Sequence, residues 1–298
     1  MDTTISGRAV LVSLSVSTWS ARKYDRVVTA QINRDHAAVD SAGRYNKSLL
    51  PQDNNSYKTL MKVAGALRTE HYKNTLAWSD EGWRLLPTAN YQDYTDMVRD
   101  AQNTFSRALS DFLSDYPGMQ QSAQHALNGM YRAADYPDAS VLRDKFSIGC
   151  EYLPVPTEGD FRLDLTSDTI LDIEKSVTDR VERATHLAVK DSWQRLHDCV
   201  AHIHDRLSDP DAIFRDSLIE NAKGLTAILK RLNVTNDVDL ETARAMIEAQ
   251  LSQHSPDDLR KNPNIRAQVA VDAQDIMAKM KGMYGSAAPA PMDREQAA

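Results

Sequence analysis

The densest run of groups able to hold a metal or move a proton is His197-Asp198-Cys199-Val200-Ala201-His202-Ile203-His204-Asp205. Imidazole, thiolate and carboxylate are the donors that zinc and other transition metals take. On a helix, Asp198 and His202 stand four residues apart and Cys199 and His202 three, spacings that let each pair share a face. Asp198, Cys199 and His202 are therefore the candidate metal ligands. The His-Glu-x-x-His spacing of metal-binding helices is absent, however, and a helix spreads these groups around its circumference. The plainer reading is a polar face beside the apolar row Leu196, Val200 and Ile203.

Other chemistry has less to stand on. Nucleophilic catalysis needs a nucleophile beside an oriented base, and the chain has no Gly-x-Ser-x-Gly. Cys150 falls in a strand-like segment and reads as a small core residue. No Gly-rich loop offers a phosphate cradle. No catalytic residue is assigned, no cofactor is expected, and enzymatic activity has no residues to rest on.

A second constellation is electrostatic. Between Arg8 and Lys73 there are eleven Lys and Arg against five Asp and Glu, a local +6 within a chain of net charge −7. These cations are interleaved with, or followed by, Tyr24, Tyr45, Tyr57, Tyr72, Trp78 and Trp83. Cations track phosphates, and aromatic faces stack bases without sequence preference, so single-stranded DNA is the anionic partner that this pattern suits. Arg22, Lys23, Arg26, Lys58 and Lys62 are the candidate contacts. The alternative is a solvated basic face with the tyrosines in helix stripes.

The elements that must position these groups are mostly helices. With 42% hydrophobic and 26% charged residues, and only 11 Gly and 11 Pro in 298, the composition is globular and helix-leaning. Two cysteines cannot make a disulfide framework and suit a reducing compartment. The apolar start is short and broken by Ser13 and Ser15, so no signal peptide is expected. Nothing approaches a membrane span, and a cytoplasmic protein of a bacterial host, without membrane association, is expected.

Ala9 to Trp19 alternates at period two and predicts a strand. Helices are expected over Ser20–Val39, Ser56–Leu76, Tyr91–Leu113 and Met119–Ala134, with a break at Tyr116-Pro117-Gly118. Ser79 to Asn90, following Trp78, reads as an irregular aromatic-rich connection. Strand-like pieces at Lys145–Leu153 and Asp160–Leu165 would complete a small sheet.

The strongest periodicity follows. Ile170, Ile173, Val177, Val181, Ala184 and Ala188, then Val189, Trp193, Leu196, Val200, Ile203 and Leu207, predict one helix from about Thr166 to Ser208. Asp209-Pro210 should end it and start the next, Asp211–Leu232, giving a helical hairpin that is locally coiled-coil-like. Further helices are expected at Asp239–Gln253 and Asn264–Lys281, the latter stopping at Gly282. The long helix carries more apolar stripe than a 22-residue partner can cover. The remainder must pack on the N-terminal domain or on another chain, through self-association or a protein partner.

Lys145-Phe146-Ser147-Ile148, Leu153-Pro154-Val155-Pro156 and Gly159-Asp160-Phe161-Arg162 carry a family likeness, as do the Leu11–Trp19 strand, Tyr24-Asp25 and Trp83-Arg84-Leu85-Leu86-Pro87. In these segments the chain resembles an uncharacterised group of proteins encoded by bacteriophages and other mobile elements of proteobacteria. The resemblance implies no established activity and no catalytic residues. It implies a place near AAA-type ATPases, as an accessory to such a machine.

The expected architecture is mainly α with a small β-sheet (α+β). Residues 1–165 form an N-terminal domain with short strands, 166–284 a long helical hairpin with C-terminal helices, and 285–298 a disordered tail. The expected role is interaction or assembly through long amphipathic helices, with nucleic-acid binding by the basic region as the alternative.

Overall fold

A computed structural model of the chain describes residues 5–79, 82–157 and 167–287. It is mainly α with a small antiparallel sheet, as composition and periodicity lead one to expect. The strands are β1 (Ala9–Ser17), β2 (Arg22–Tyr24), β3 (Asn46–Ser48), β4 (Leu76–Ala77), β5 (Arg84–Pro87) and β6 (Ser147–Pro154). The helices are α1 (Arg26–Asp35), α2 (Asn55–Asn74), α3 (Tyr91–Leu127), α4 (Ala139–Arg143), α5 (Ser167–Ser208), α6 (Ser217–Leu232), α7 (Val238–Gln250), α8 (Pro256–Lys261) and α9 (Pro263–Ala287).

A four-stranded sheet runs in the order β4-β5-β1-β6, and β2 pairs with β3. The segment Arg84–Pro87, expected to be irregular, is a central strand: Leu85 faces Leu11 on one side and Leu76 on the other. Leu85 and Leu86 are fully buried, and that burial stabilises a strand too short to show a period of its own. The expected strand at Asp160–Leu165 lies outside the described residues.

The chain forms two compact units, each assembled from separate segments. One comprises Met1–Ser13, His71–Tyr94 and Glu151–Ala298. The other comprises Leu14–Glu70 and Thr95–Cys150.

The core of the first unit is built on α5, 42 residues long and starting at Ser167. Its row Trp193, Leu196, Val200, Ile203 and Leu207 is buried, together with Ala184 and Ala188. Facing residues include Leu229 and Leu232 of α6, Ala243 and Ile247 of α7, and Val269, Ala273, Ile276 and Met280 of α9. The helix after Asp209-Pro210 begins at Ser217, not Asp211. Asp209 Oδ1 instead accepts from the Asp211 amide at 3.0 Å, closing a local turn. Phe214 is then held, outside any helix, between the guanidiniums of Arg260 and Arg266 at 5.2 and 5.3 Å.

The last helix continues through Gly282 to Ala287. An interior glycine costs a helix about 1 kcal/mol, which the packing of Met280 and Met283 on the core offsets. The expected tail thus begins within this helix, and from residue 288 onward it lies outside the described residues. Ser255 caps α8 as its position before Pro256 predicts, accepting from the Asp258 amide at 3.1 Å.

In the second unit, α3 runs through Tyr116-Pro117-Gly118, where a break was expected. Proline removes one helical hydrogen bond at a cost of about 3 kcal/mol. Phe112, Tyr116, Met119 and Ala123 are buried on either side of it, and this packing overrides the local preference. The predicted helix Ser20–Val39 resolves into β2 and a shorter α1. Val27, Ile32 and Val39, the expected apolar stripe, are exposed. The buried positions of α1 are Thr29 and Asn33, whose side chains bond the Tyr45 amide and the Asp40 carbonyl of the following loop. The helix therefore organises a polar loop.

Candidate functional site

The candidate site is the N-terminal part of α5, and the first unit fixes it through a polar clamp. Arg195 donates to the carbonyls of Tyr72, Lys73 and Thr75 at 2.9, 3.0 and 2.8 Å. These are acceptors at the C-terminal end of α2, which lack partners within their own helix. Asp191, one turn earlier on α5, accepts from Arg195 at 2.9 Å and from the Ala77 amide at 3.1 Å. Arg84 completes the group, with Nε 2.7 Å from Thr75 Oγ1 and Nη2 3.4 Å from Asp191. Burial lowers the Arg84 pKa, opposed by the Asp191 carboxylate.

Beneath the clamp, His71 Nδ1 lies 2.7 Å from the Tyr94 hydroxyl, with both side chains buried. Burial, reinforced by Arg84, pushes the His71 pKa down to about 4. Further along α5, Trp193 Nε1 donates to Asp237 Oδ2 at 3.1 Å, while Asp237 Oδ1 caps α7 through the amides of Asp239 and Leu240. None of these residues stood out in the sequence as a group. The one local signal is the Asp191/Arg195 spacing of four; their other partners lie more than a hundred residues away.

The clamp and the buried row hold α5 from Ala184 onward. α9 runs antiparallel to it: Arg266 bonds the carbonyls of Arg206 and Leu207, and Met277, Met280 and Lys281 line a groove of about 550 Å³ with Lys190, Trp193 and His197. That register sets Met280 of α9 beside Trp193 of α5. Among the described residues, Ala184 is the first fully buried residue of α5. Ile170, Ile173, Val177 and Val181 continue the same stripe but are only half-buried, and Leu171 beside them is 62% exposed.

The ligand-rich run lies on α5 as expected, but its groups diverge. Asp198 and His202 are exposed, while Cys199 is half-buried. Burial pushes the Cys199 thiol up to about 11, away from the thiolate that a metal would require. His197 Nδ1 is 3.7 Å from Asp198, and His204 Nδ1 is 3.4 Å from Asp205. Among the described residues, no three His, Cys, Asp or Glu side chains gather closely enough to hold a metal ion.

The basic candidates all belong to the second unit. Arg22 and Lys23 lie on β2, Arg26 opens α1, and Lys58 and Lys62 stand one turn apart on α2; all five are exposed. Arg22 acts electrostatically on the Tyr57 hydroxyl, so β2 and the start of α2 are neighbours. Arg44 stacks over the Tyr24 ring at 4.6 Å. Lys47 stands apart from this group. It is 2% exposed, paired with Asp25 at 3.3 Å and Asp135 at 2.8 Å, and it donates to the Met130 carbonyl at 2.6 Å. Backbone amides of α1, followed by Lys47, hold Asp25 below the usual carboxylate range.

No family model, curated protein or solved structure matches the chain. Among the described residues, no helix is long and apolar enough to cross a membrane. Chemically, the clamp has every group engaged in structure, whereas the stretch Ser167–Arg183 of α5 offers an apolar stripe flanked by charge.

Proposed function

We propose that the chain is an interaction or assembly protein acting through its long amphipathic helices, with the N-terminal part of α5 as the binding face. The observation that carries this reading is the half-buried row Ile170, Ile173 and Val177, continuous with the buried row that starts at Ala184. Covering a row of this kind removes apolar surface from water at about 25 cal/mol per Å², without new chemistry. On this reading the chain works in a bacterial cytoplasm for a phage or mobile element, as an accessory to an ATPase machine, as the sequence resemblance implies. Light scattering of the purified chain, paired with affinity recovery from a bacterial host, tests it. A strict monomer at tens of micromolar that recovers no partner contradicts it.

A second reading has its own observation: Arg22, Lys23, Arg26, Lys58 and Lys62 are all exposed, although Lys58 also donates to the Gln52 carbonyl, while Lys47 and Arg68 are turned inward to internal contacts. Exposed cations beside Tyr24 and Tyr57 suit the backbone and bases of single-stranded DNA. Binding measured at two salt concentrations tests this, and its absence at low salt contradicts it.

A further inference from the structure

We propose that the outer face of the β2–β3 ribbon is a stacking platform for one base of a single-stranded nucleic acid, built from Arg44 laid on Tyr24 with Asn46 beside them. The inference rests on the nucleic-acid reading and deepens it by naming the group that holds a base.

The register of the ribbon sorts its side chains. Arg22 pairs with Ser48 and Tyr24 with Asn46, while Lys23 pairs with Lys47. Paired residues of an antiparallel ribbon share a face, and successive residues alternate between faces. Lys47 is buried, so its face is the inner one, and Arg22, Tyr24, Asn46 and Ser48 take the outer one. There Arg22, Asn46 and Ser48 are exposed and Tyr24 is half-buried. Arg44, two residues before Asn46, reaches the same face and lays its guanidinium 4.6 Å from the centroid of the Tyr24 ring. Arg44 is itself exposed, which leaves the side of the guanidinium away from Tyr24 open.

Buried groups hold this arrangement before any ligand arrives. The Tyr45 amide donates to Thr29 Oγ1 at 3.0 Å, and Thr29 Oγ1 donates to the Asp25 carbonyl at 2.7 Å. The Asp25 amide donates to the Tyr45 carbonyl at 3.0 Å. Thr29 and Asp25 are both buried, so the backbone that carries Arg44 is tied to the backbone that carries Tyr24.

Charge selects an anion. Of the carboxylates between Arg22 and Ser48, Asp25 is buried and engaged by Lys47 and the amides of Val27 and Val28. Asp35 ends α1, about 14 Å from Arg26 at 1.5 Å per residue, and Asp40 lies at that same end, where its carbonyl accepts from Asn33. Among the described residues, Arg22, Arg26 and Arg44 enter no ion pair. The shape of the platform then selects the class of anion. A guanidinium backed by an aromatic ring is a flat cation, the surface on which bases splayed from a single strand stack. The Asn46 amide offers donors and an acceptor to a base edge, and Arg22 and Arg26 supply charge for neighbouring phosphates. A duplex keeps its bases stacked inside and gives such a platform nothing to hold.

The test uses the full chain and two labelled probes of about twelve units, a length within the reach of one binding module. One is single-stranded oligodeoxyadenylate; the other is an abasic backbone of the same length and charge. Fluorescence anisotropy at low salt compares wild type with Arg44→Lys, which keeps the charge and loses the flat face. Wild type should bind the base-bearing strand more tightly than the abasic one. Arg44→Lys should weaken binding of the base-bearing strand by about five- to hundredfold, the range for one stacked base, and leave the abasic one unchanged. Far-UV circular dichroism of the variant should match wild type.

An equal loss on both probes, or no loss on either, overturns the platform and leaves the phosphate-contact reading standing. Equal affinity of wild type for the two probes does the same. Absence of binding to both probes overturns the platform and the nucleic-acid reading together.

Discussion

Asp191 and Arg195 stand one turn apart on α5, carboxylate to guanidinium at 2.9 Å, and together they grip the end of α2 and the adjoining β4. The pair anchors the long helix to a chain segment more than a hundred residues earlier. Arg195→Met removes three hydrogen bonds to carbonyls and leaves the partly buried Asp191 carboxylate with the Ala77 amide and the more distant Arg84. The unfolding free energy should fall by about 2–4 kcal/mol in urea titration. Arg99→Ala, at an exposed Arg99–Asp96 pair, should change it by less than about 0.5 kcal/mol.

His71 makes stability depend on pH. Its pKa in the fold is about 4, below the 6.5 of the free side chain, so the unfolded chain takes the proton first. Nothing is lost above pH 6.5. Stability then declines as pH falls from 6.5 towards 4, by up to about 3 kcal/mol, and the decline levels off below that. His71→Gln should flatten this window in denaturation curves recorded at successive pH values.

Lys47 in the second unit holds two carboxylates at 2% exposure. Lys47→Met leaves Asp25 and Asp135 facing one another without a cation. Calorimetry should show a loss of about 3–5 kcal/mol, the scale for breaking a buried pair from one side.

If the basic face binds single-stranded DNA, reversing Arg22, Lys23 and Arg26 to Glu should weaken that binding at low salt by more than about tenfold. It should also reduce the slope of log affinity against log salt by about 2, at roughly 0.7 for each phosphate that is no longer neutralised. Fluorescence anisotropy at two salt concentrations reads both quantities. An unchanged slope would exclude these residues.

The fold was legible wherever one element buries one face. The row from Trp193 to Leu207 announces α5, and Ser255-Pro256 announces α8, because the responsible interactions repeat at short range. The failures share a cause in long-range packing. Pro117 reads as a stop, but buried Tyr116 and Met119 carry α3 across it. Arg84–Pro87 is too short to show alternation and becomes a strand only because β1 and β4 flank it. Val27 and Ile32 look like a core stripe, yet the small α1 buries Thr29 and Asn33 instead, since its neighbour is a polar loop. Of the candidate residues, the exposure of Arg22 or Lys58 agrees with a surface role, but Lys47 has the same charge and a buried structural task. Composition does not distinguish them. The excess apolar length of α5 was legible in the sequence; that its full burial begins at Ala184 among the described residues required the packing of α6, α7 and α9.

The most direct measurement is sedimentation velocity of fluorescently labelled full chain, alone at tens of micromolar and in bacterial extract, for wild type and Val177→Glu. Wild type should sediment faster than a 33.3 kDa monomer in at least one of the two conditions, and Val177→Glu as a monomer in both, with unchanged circular dichroism. Wild type sedimenting as a monomer in both conditions, or Val177→Glu sedimenting as fast as wild type, would contradict a binding face on the N-terminal part of α5.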